Sequence, residues 1–139
     1  MTSTPATKKS EINVKWHHID ANGKVLGRLS SEIVKLLMGK HKVTYVPYLN
    51  SGDKVVVTNV AKVKVTGKKE TDKIYNRHTL NVKGYYQENV AHLRERKPAE
   101  LIKRAITGML PKNKLRKVRL SNLILIDGEV NPHSSQTDK

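Results

Sequence analysis

The chain has 139 residues, enough for one domain with a real core and too few for two. Lys and Arg number 27 against 12 Asp and Glu, a formal net charge of +15, and a compact body with that charge repels itself unless a polyanion neutralises it. There is no Cys, which excludes disulfides and Cys-based zinc sites, and no Phe, so any core must be built from Val, Leu and Ile.

Residues 1–15 are polar and small, with Thr, Ser and Lys around one Pro, and read as a flexible basic arm. They hold no apolar run of the kind a signal peptide or membrane span needs, so a soluble protein made where it works is expected. A short strand runs through Trp16–Ile19 and ends in the turn signal Asp20-Ala21-Asn22-Gly23. The spacing of Leu26, Leu29, Ile33, Leu36 and Leu37 places them within an arc of about 100° at a helical step, predicting a helix over 26–38. Gly39 stands where a C-terminal glycine belongs, and Lys40, His41 and Lys42 follow it.

Residues 45–53 read as a loop. Lys54–Thr58 is a continuous apolar run suited to a strand covered on both faces. Val63–Thr66 alternates and reads as another strand, closed by Gly67. A basic loop follows, with Lys68, Lys69, Lys73, Arg77 and His78. Gln87–Arg94 reads as a short helix. Pro98 opens a better one, whose stripe is Leu101, Ile102, Ala105, Ile106 and Met109, with Gly108 and Pro111 at its end. Asn122–Ile126 is a last buried-type strand, and the tail is polar. This alternation predicts a mostly parallel sheet with helices on its faces.

Three clusters of cations stand out. From Leu101 to Ile126 the basic residues are Lys103, Arg104, Lys112, Lys114, Arg116, Lys117 and Arg119, with no acid among them. A solvated face usually mixes signs, so the unrelieved charge beside Pro111 and Asn113 fits a phosphate-facing loop better. Gly39-Lys40-His41-Lys42 is the second cluster. It is no nucleotide loop, because Val34 stands where the leading glycine belongs and His41 follows the lysine. Exposed side-chain contacts to phosphate suit it better, and His41 can also stack on a base. The third cluster is Lys68, Lys69, Lys73, Arg77 and His78. Tyr75, Tyr85 and Tyr86 lie near it as stacking platforms or as packed residues; packing is the expectation for at least two of the three.

Catalysis finds no support. His17 and His18 are adjacent on a strand and point to opposite faces. No histidine pair has the helical spacing of a zinc site, and no carboxylates are paired for acid–base work. Asp20 reads as a turn former, and Gly23 and Gly27 do not make a dinucleotide fingerprint. No cofactor, metal, membrane or small-molecule substrate is expected.

Several stretches in order resemble one family: Trp16 with Ile19-Asp20-Ala21, Leu26-Gly27-Arg28-Leu29, Gly39-Lys40-His41-Lys42, Gly52-Asp53 leading into Val55–Val57, Thr66-Gly67, Lys97-Pro98, and Gly108-Met109-Leu110-Pro111-Lys112-Asn113. The chain resembles the universal large-subunit ribosomal protein family thirteen, in its bacterial or organellar form, from about Trp16 to His133. It departs from the family pattern at Arg116-Lys117, where Gly-Arg is usual, and at Asn131, which replaces a histidine.

The resemblance implies a three-layer α/β/α fold around a mostly parallel sheet of about four strands. It also implies a structural, non-enzymatic role in the large subunit, early in its assembly, beside ribosomal proteins three and twenty. The arm would precede a single rRNA-binding domain over 16–133, with a polar tail over 134–139. The expected rRNA contacts are Arg28, Lys40, His41, Lys42, Lys68, Lys69, Lys73, Arg77, His78, Lys112, Lys114, Arg116, Lys117 and Arg119. A basic regulator acting on mRNA or DNA off the ribosome is the alternative. It explains the charge and leaves the ordered motifs unexplained.

Overall fold

A computed structural model describes residues 6–137. The first strand, β1 (Trp16–Asp20), leads through the tight turn at Gly23 into helix α1 (Leu26–Met38). The helix buries Leu29, Ile33 and Leu37 along the face its spacing predicts. It stops at Gly39, whose φ of 77° is left-handed, and the Gly39 and Lys40 amides donate back to the Leu36 and Lys35 carbonyls. Leu36 O also accepts from the Asp53 amide at 3.1 Å, so the end of α1 is fastened to the entry of the next strand, β2 (Lys54–Thr58).

Strand β2 is the centre of a parallel sheet. It pairs with β1 in the register His17–Val55 and Ile19–Val57, and with the strand β5 (Leu123–Leu125) in the register Val55–Leu123 and Val57–Leu125. Val55, Val56 and Val57 are all fully buried, as a strand covered on both faces requires. One face carries Ile19, Val55 and Val57. Against them pack α1, helix α4 (Pro98–Met109) through Ile102 and Ile106, and Leu120 of helix α5 (Leu115–Ser121). Val55, Val57, Ile102 and Ile106, each fully buried, contribute about 1.5–3 kcal/mol apiece relative to exposure. The returning C-terminal segment covers β1 on the opposite face. His133 stacks on Trp16 with ring centroids 5.1 Å apart, and the single turn α6 (Ser134–Thr137) lies against β1.

The expected α/β architecture with a mostly parallel sheet is therefore present, and its parallel sheet has three strands. The stretch 63–66 makes one isolated parallel bridge, Val25 to Lys64, and Leu26 N–H donates to Lys64 O at 2.9 Å. Its carbonyls are used to start α1 rather than to extend a ladder.

The middle of the chain departs from the sequence reading. After the single turn α2 (Lys69–Asp72), β3 (Ile74–His78) pairs antiparallel with β4 (Tyr85–Asn89), where a basic loop and the start of a helix are expected. Helix α3 (Val90–Arg96) begins only after Asn89, whose Oδ1 accepts from the His92 amide at 2.9 Å and caps it. The hairpin carries no clean apolar alternation because it projects from the body. Leu80 and Val82 at its tip are 98% and 96% exposed. Tyr85 and Tyr86 are exposed too, against the expectation of packing; Tyr75 alone of the three packs, on the small cluster of Val90, Leu93 and Leu101.

The chain before β1 is partly fastened. Lys15 N–H donates to Asp53 Oδ1 at 2.9 Å, and Lys42 Nζ donates to the Asn13 carbonyl. Residues 1–5 of the expected flexible arm, and 138–139 of the tail, lie outside the described residues. Among the described residues no helix is long and apolar enough to cross a membrane.

Candidate nucleic-acid interface

Among the described residues, five Lys and Arg outside the expected contact set are paired with carboxylates, while Lys8, Lys9, Lys15, Lys35, Lys54, Lys64, Lys83, Lys97 and Lys103 are not. Lys24 faces Glu32, Lys62 faces Glu129, and Arg104 forks onto Glu100 one turn earlier in α4. Arg94 pairs with Glu70, and Arg96 with Glu88. Arg96 and His92 together hold the Glu88 carboxyl down at about 2.

Most of the expected contact residues have no such partner. Among the described residues, Arg28, Lys40, Lys68, Lys69, Lys73, Arg77, Lys112, Lys114, Arg116 and Lys117 stand in no ion pair. All but Arg116 are exposed. His78, at the end of β3, is exposed as well.

The fold gathers several of these from distant parts of the chain. A cleft of about 400 Å³ is lined by Gly27 at the start of α1, by Lys69 and Lys73, and by Tyr75, Arg104 and Gly108. Lys73 Nζ and the Arg104 guanidinium lie 5.3 Å and 5.0 Å from the Tyr75 ring centroid. A second cleft of about 670 Å³ brings Lys103 of α4 together with Lys114, Arg116 and Lys117. Lys103 and Arg104 were not among the expected contacts. Their signal is present in the acid-free run, but only the placement of α4 beside α5 shows which cations share a groove. Arg77 borders a third hollow with Tyr75, Tyr86 and His92.

Three expected contacts are placed differently. Arg119 is 1% exposed, because residues 115–121 form a helix rather than a loop and turn it inward. None of its guanidinium nitrogens meets a hydrogen-bond acceptor among the described residues. Lys42 faces inward, its ammonium donating to Asp53 Oδ1 and to the Ser51 carbonyl. His41 Nε2 lies 2.9 Å from Asp53 Oδ2. Burial pushes the Asp53 carboxyl up, but the Lys15 amide, Lys42 and His17 outweigh it and hold it below its ordinary value. Of the second cluster, Lys40 alone is left as a free cation. Arg116 is half-turned: Nε and Nη2 donate to the Pro111 and Leu110 carbonyls at 3.2 Å each, which fixes the guanidinium over the end of α4.

Asp20 does what a turn former does. Its Oδ1 accepts from the Asn22 amide at 3.0 Å and from Asn59 Nδ2 at 2.9 Å, and these bonds lower its pKa.

A small parallel α/β body with unpaired cations along its loops and helix ends defines a basic α/β protein suited to an anionic partner. The chain belongs to the ribosomal protein L13 family, whose pattern it matches over residues 14–132. It is similar to proteins called large ribosomal subunit protein uL13 from several bacteria. It is 47% identical to that of Syntrophotalea carbinolica over 134 residues, which is 96% of this chain and 94% of the relative. The relative from Nitratiruptor is 48% identical over 136 residues, covering 98% and 97%. That from Staphylococcus haemolyticus is 42% identical over 136 residues, covering 98% and 94%. The family is one of ribosomal proteins of the large subunit and not of enzymes.

Proposed function

We propose that this protein binds large-subunit rRNA through its basic loops and helix ends, and that it acts early in assembly of the large subunit, in the cytoplasm. The observation that carries this reading is the set of unpaired cations on the loops and helix ends. Among the described residues, Arg28, Lys40, Lys68, Lys69, Lys73, Arg77, Lys112, Lys114, Arg116 and Lys117 stand in no ion pair, whereas Lys42 is held by Asp53 and Arg104 by Glu100. Such a surface is neutralised by phosphates, whose displaced counterions supply the binding free energy. Phosphate contacts by Lys and Arg would position the protein, and the shape of the folded RNA would do the selecting.

The contact set on this reading is Arg28, Lys40, Lys68, Lys69, Lys73, Arg77, His78, Lys112, Lys114, Arg116 and Lys117. Lys42 and Arg119 are turned into the fold, and His41 is exposed but lies 2.9 Å from Asp53 Oδ2. Ribosomal proteins three and twenty are the neighbours this reading assigns. The exposed apolar tip at Leu80 and Val82 suits a contact made only in the assembled particle.

The test is quantitative binding of the purified chain to large-subunit rRNA and to an unrelated folded RNA of equal length across a salt titration. Preference for the rRNA with a steep slope is expected. Replacing Lys112, Lys114, Arg116 and Lys117 by Ala should flatten the slope, each lost phosphate contact removing about 0.7–0.9 of a unit. Equal affinity for both RNAs would reduce the proposal to charge alone, and an unchanged slope would remove this cluster from the interface.

A further inference from the structure

Where β1 and β2 begin, side chains from three separate segments converge on one oxygen. His17 Nε2 lies 2.8 Å and His41 Nε2 2.9 Å from Oδ2 of Asp53. The three ligand-capable atoms lie within 4.8 Å of one another. We propose that His17, His41 and Asp53 form a binding site for a divalent cation of the zinc class. This is independent of rRNA binding, since His17 belongs to no basic cluster.

The donor set fits that class of ion. Two imidazole nitrogens and one carboxylate oxygen are ligands of borderline first-row cations rather than of calcium or magnesium, which prefer oxygen alone. The two rings meet edge to face, with centroids 5.7 Å apart and planes 86° apart, and their Nε2 atoms lie 2.8 Å and 2.9 Å from Asp53 Oδ2.

The carboxylate is held from behind. Lys42 Nζ and the Lys15 amide both donate to Asp53 Oδ1, leaving Oδ2 as the oxygen offered to an ion. Such outer contacts orient a ligand in metal sites generally. The positive charge of Lys42 opposes a second cation, but it sits on the far oxygen. The Asp53 side chain is fully buried, whereas those of His17 and His41 are 31% and 27% exposed. An ion would therefore enter from the imidazole side and keep room there for water.

Occupation balances simply. The His17 Nε2···Oδ2 hydrogen bond and the close approach of His41 Nε2 to Oδ2 are replaced by two Nε2–metal bonds and one Oδ2–metal bond. Each neutral imidazole keeps its proton by moving it to Nδ1. The nitrogens must draw apart from Oδ2 by a few tenths of an ångström to admit an ion about 2.0–2.2 Å from each ligand. The bound ion would tie β1, the loop after α1 and the entry to β2 into one knot.

The experiment titrates Zn²⁺, and separately Co²⁺, into the full-length chain by calorimetry and visible absorbance. The expected result is one cation per chain, a raised unfolding midpoint, and a Co²⁺ spectrum of nitrogen and oxygen ligation. His17→Ala and His41→Ala should each weaken binding by more than about tenfold, as loss of even an outer-shell partner does in metal sites. His18→Ala and His92→Ala should leave it unchanged. Circular dichroism checks that each variant is folded, and a folded His17→Ala protein that keeps its rRNA affinity separates this site from the RNA surface. The proposal is overturned if no saturable binding occurs at one ion per chain, or if binding survives in His17→Ala and His41→Ala.

Discussion

Arg96 grips Glu88 with two parallel hydrogen bonds, Nε to Oε1 at 3.0 Å and Nη2 to Oε2 at 2.7 Å. The pair joins the last turn of α3 to β4, and His92 adds a third donor at 2.9 Å. Together with Arg94 on Glu70, it fastens the projecting hairpin and the turn α2 to the body, where few apolar contacts do so.

The hairpin should therefore loosen in acid. Glu88 titrates near 2 in the folded protein against its ordinary 4.5. A depressed carboxyl pKa contributes stability that is present above pH 4.5 and is lost as pH falls from there through about 2. Amide exchange in β3, β4 and α3 should quicken over that window while the parallel sheet stays protected. In Glu88→Gln the hairpin should already exchange fast at pH 6 and show little further change. A wild-type hairpin as protected at pH 2.5 as at pH 6 would refute the link.

Asp53 anchors a buried cation. Asp53→Ala leaves Lys42 without its carboxylate, removes the hydrogen-bond partner of His17 and the Lys15 amide, and takes away the carboxylate beside His41. Breaking one side of a buried pair costs about 3–5 kcal/mol, which urea unfolding would read directly. Adding Lys42→Met to that variant should recover part of the loss, since no charge is then stranded. A single-variant loss under about 1 kcal/mol would show that Lys42 finds water instead.

Gly52 is required by space. A Cβ there would lie 1.8 Å from the Leu37 carbonyl oxygen, which is helix backbone and cannot swing away. Gly52→Ala should cost more than about 4 kcal/mol and lower the thermal midpoint steeply. Gly108→Ala is the contrast. It lies in α4 with nothing within 4 Å of its Cβ position, and should stabilise by about 0.4–1 kcal/mol. Similar effects from both would contradict the clash.

Arg119 is the reverse case of Asp53. Its buried guanidinium has no acceptor among the described residues, so its charge is desolvated without return. Arg119→Met keeps the length of the side chain and removes the charge, and should stabilise by about 1–4 kcal/mol in chemical unfolding. It should leave the salt slope of rRNA binding unchanged. A flatter slope in Arg119→Met would restore this residue to the interface.

Patterns confined to one element were legible without the fold. The stripe of Leu29, Ile33 and Leu37, the stop at Gly39, the buried run Val55–Val57 and the start at Pro98 all stand in the structure where spacing and residue type put them. The hairpin was hidden because Ile74–His78 and Tyr85–Asn89 bury almost nothing, and strands are read from their buried face. The helix over 115–121 was hidden by charge: Arg116, Lys117 and Arg119 drew attention to a loop, while Leu115 and Leu120 leave only a thin apolar signal.

Net charge and its clustering follow from the sequence by itself, because charge is counted residue by residue and repulsion within +15 demands an anionic partner wherever the residues fall. Which cation is free was decided by the tertiary structure alone. Lys40 and Lys42 are two residues apart, yet one is exposed and the other reaches back to Asp53. Arg116 and Arg119 are three apart, yet one lies along a carbonyl edge and the other is sealed inside. A side chain's partner is set by distances across the fold, and His17, His41 and Asp53 become neighbours only when β1 pairs with β2 and α1 turns back at Gly39.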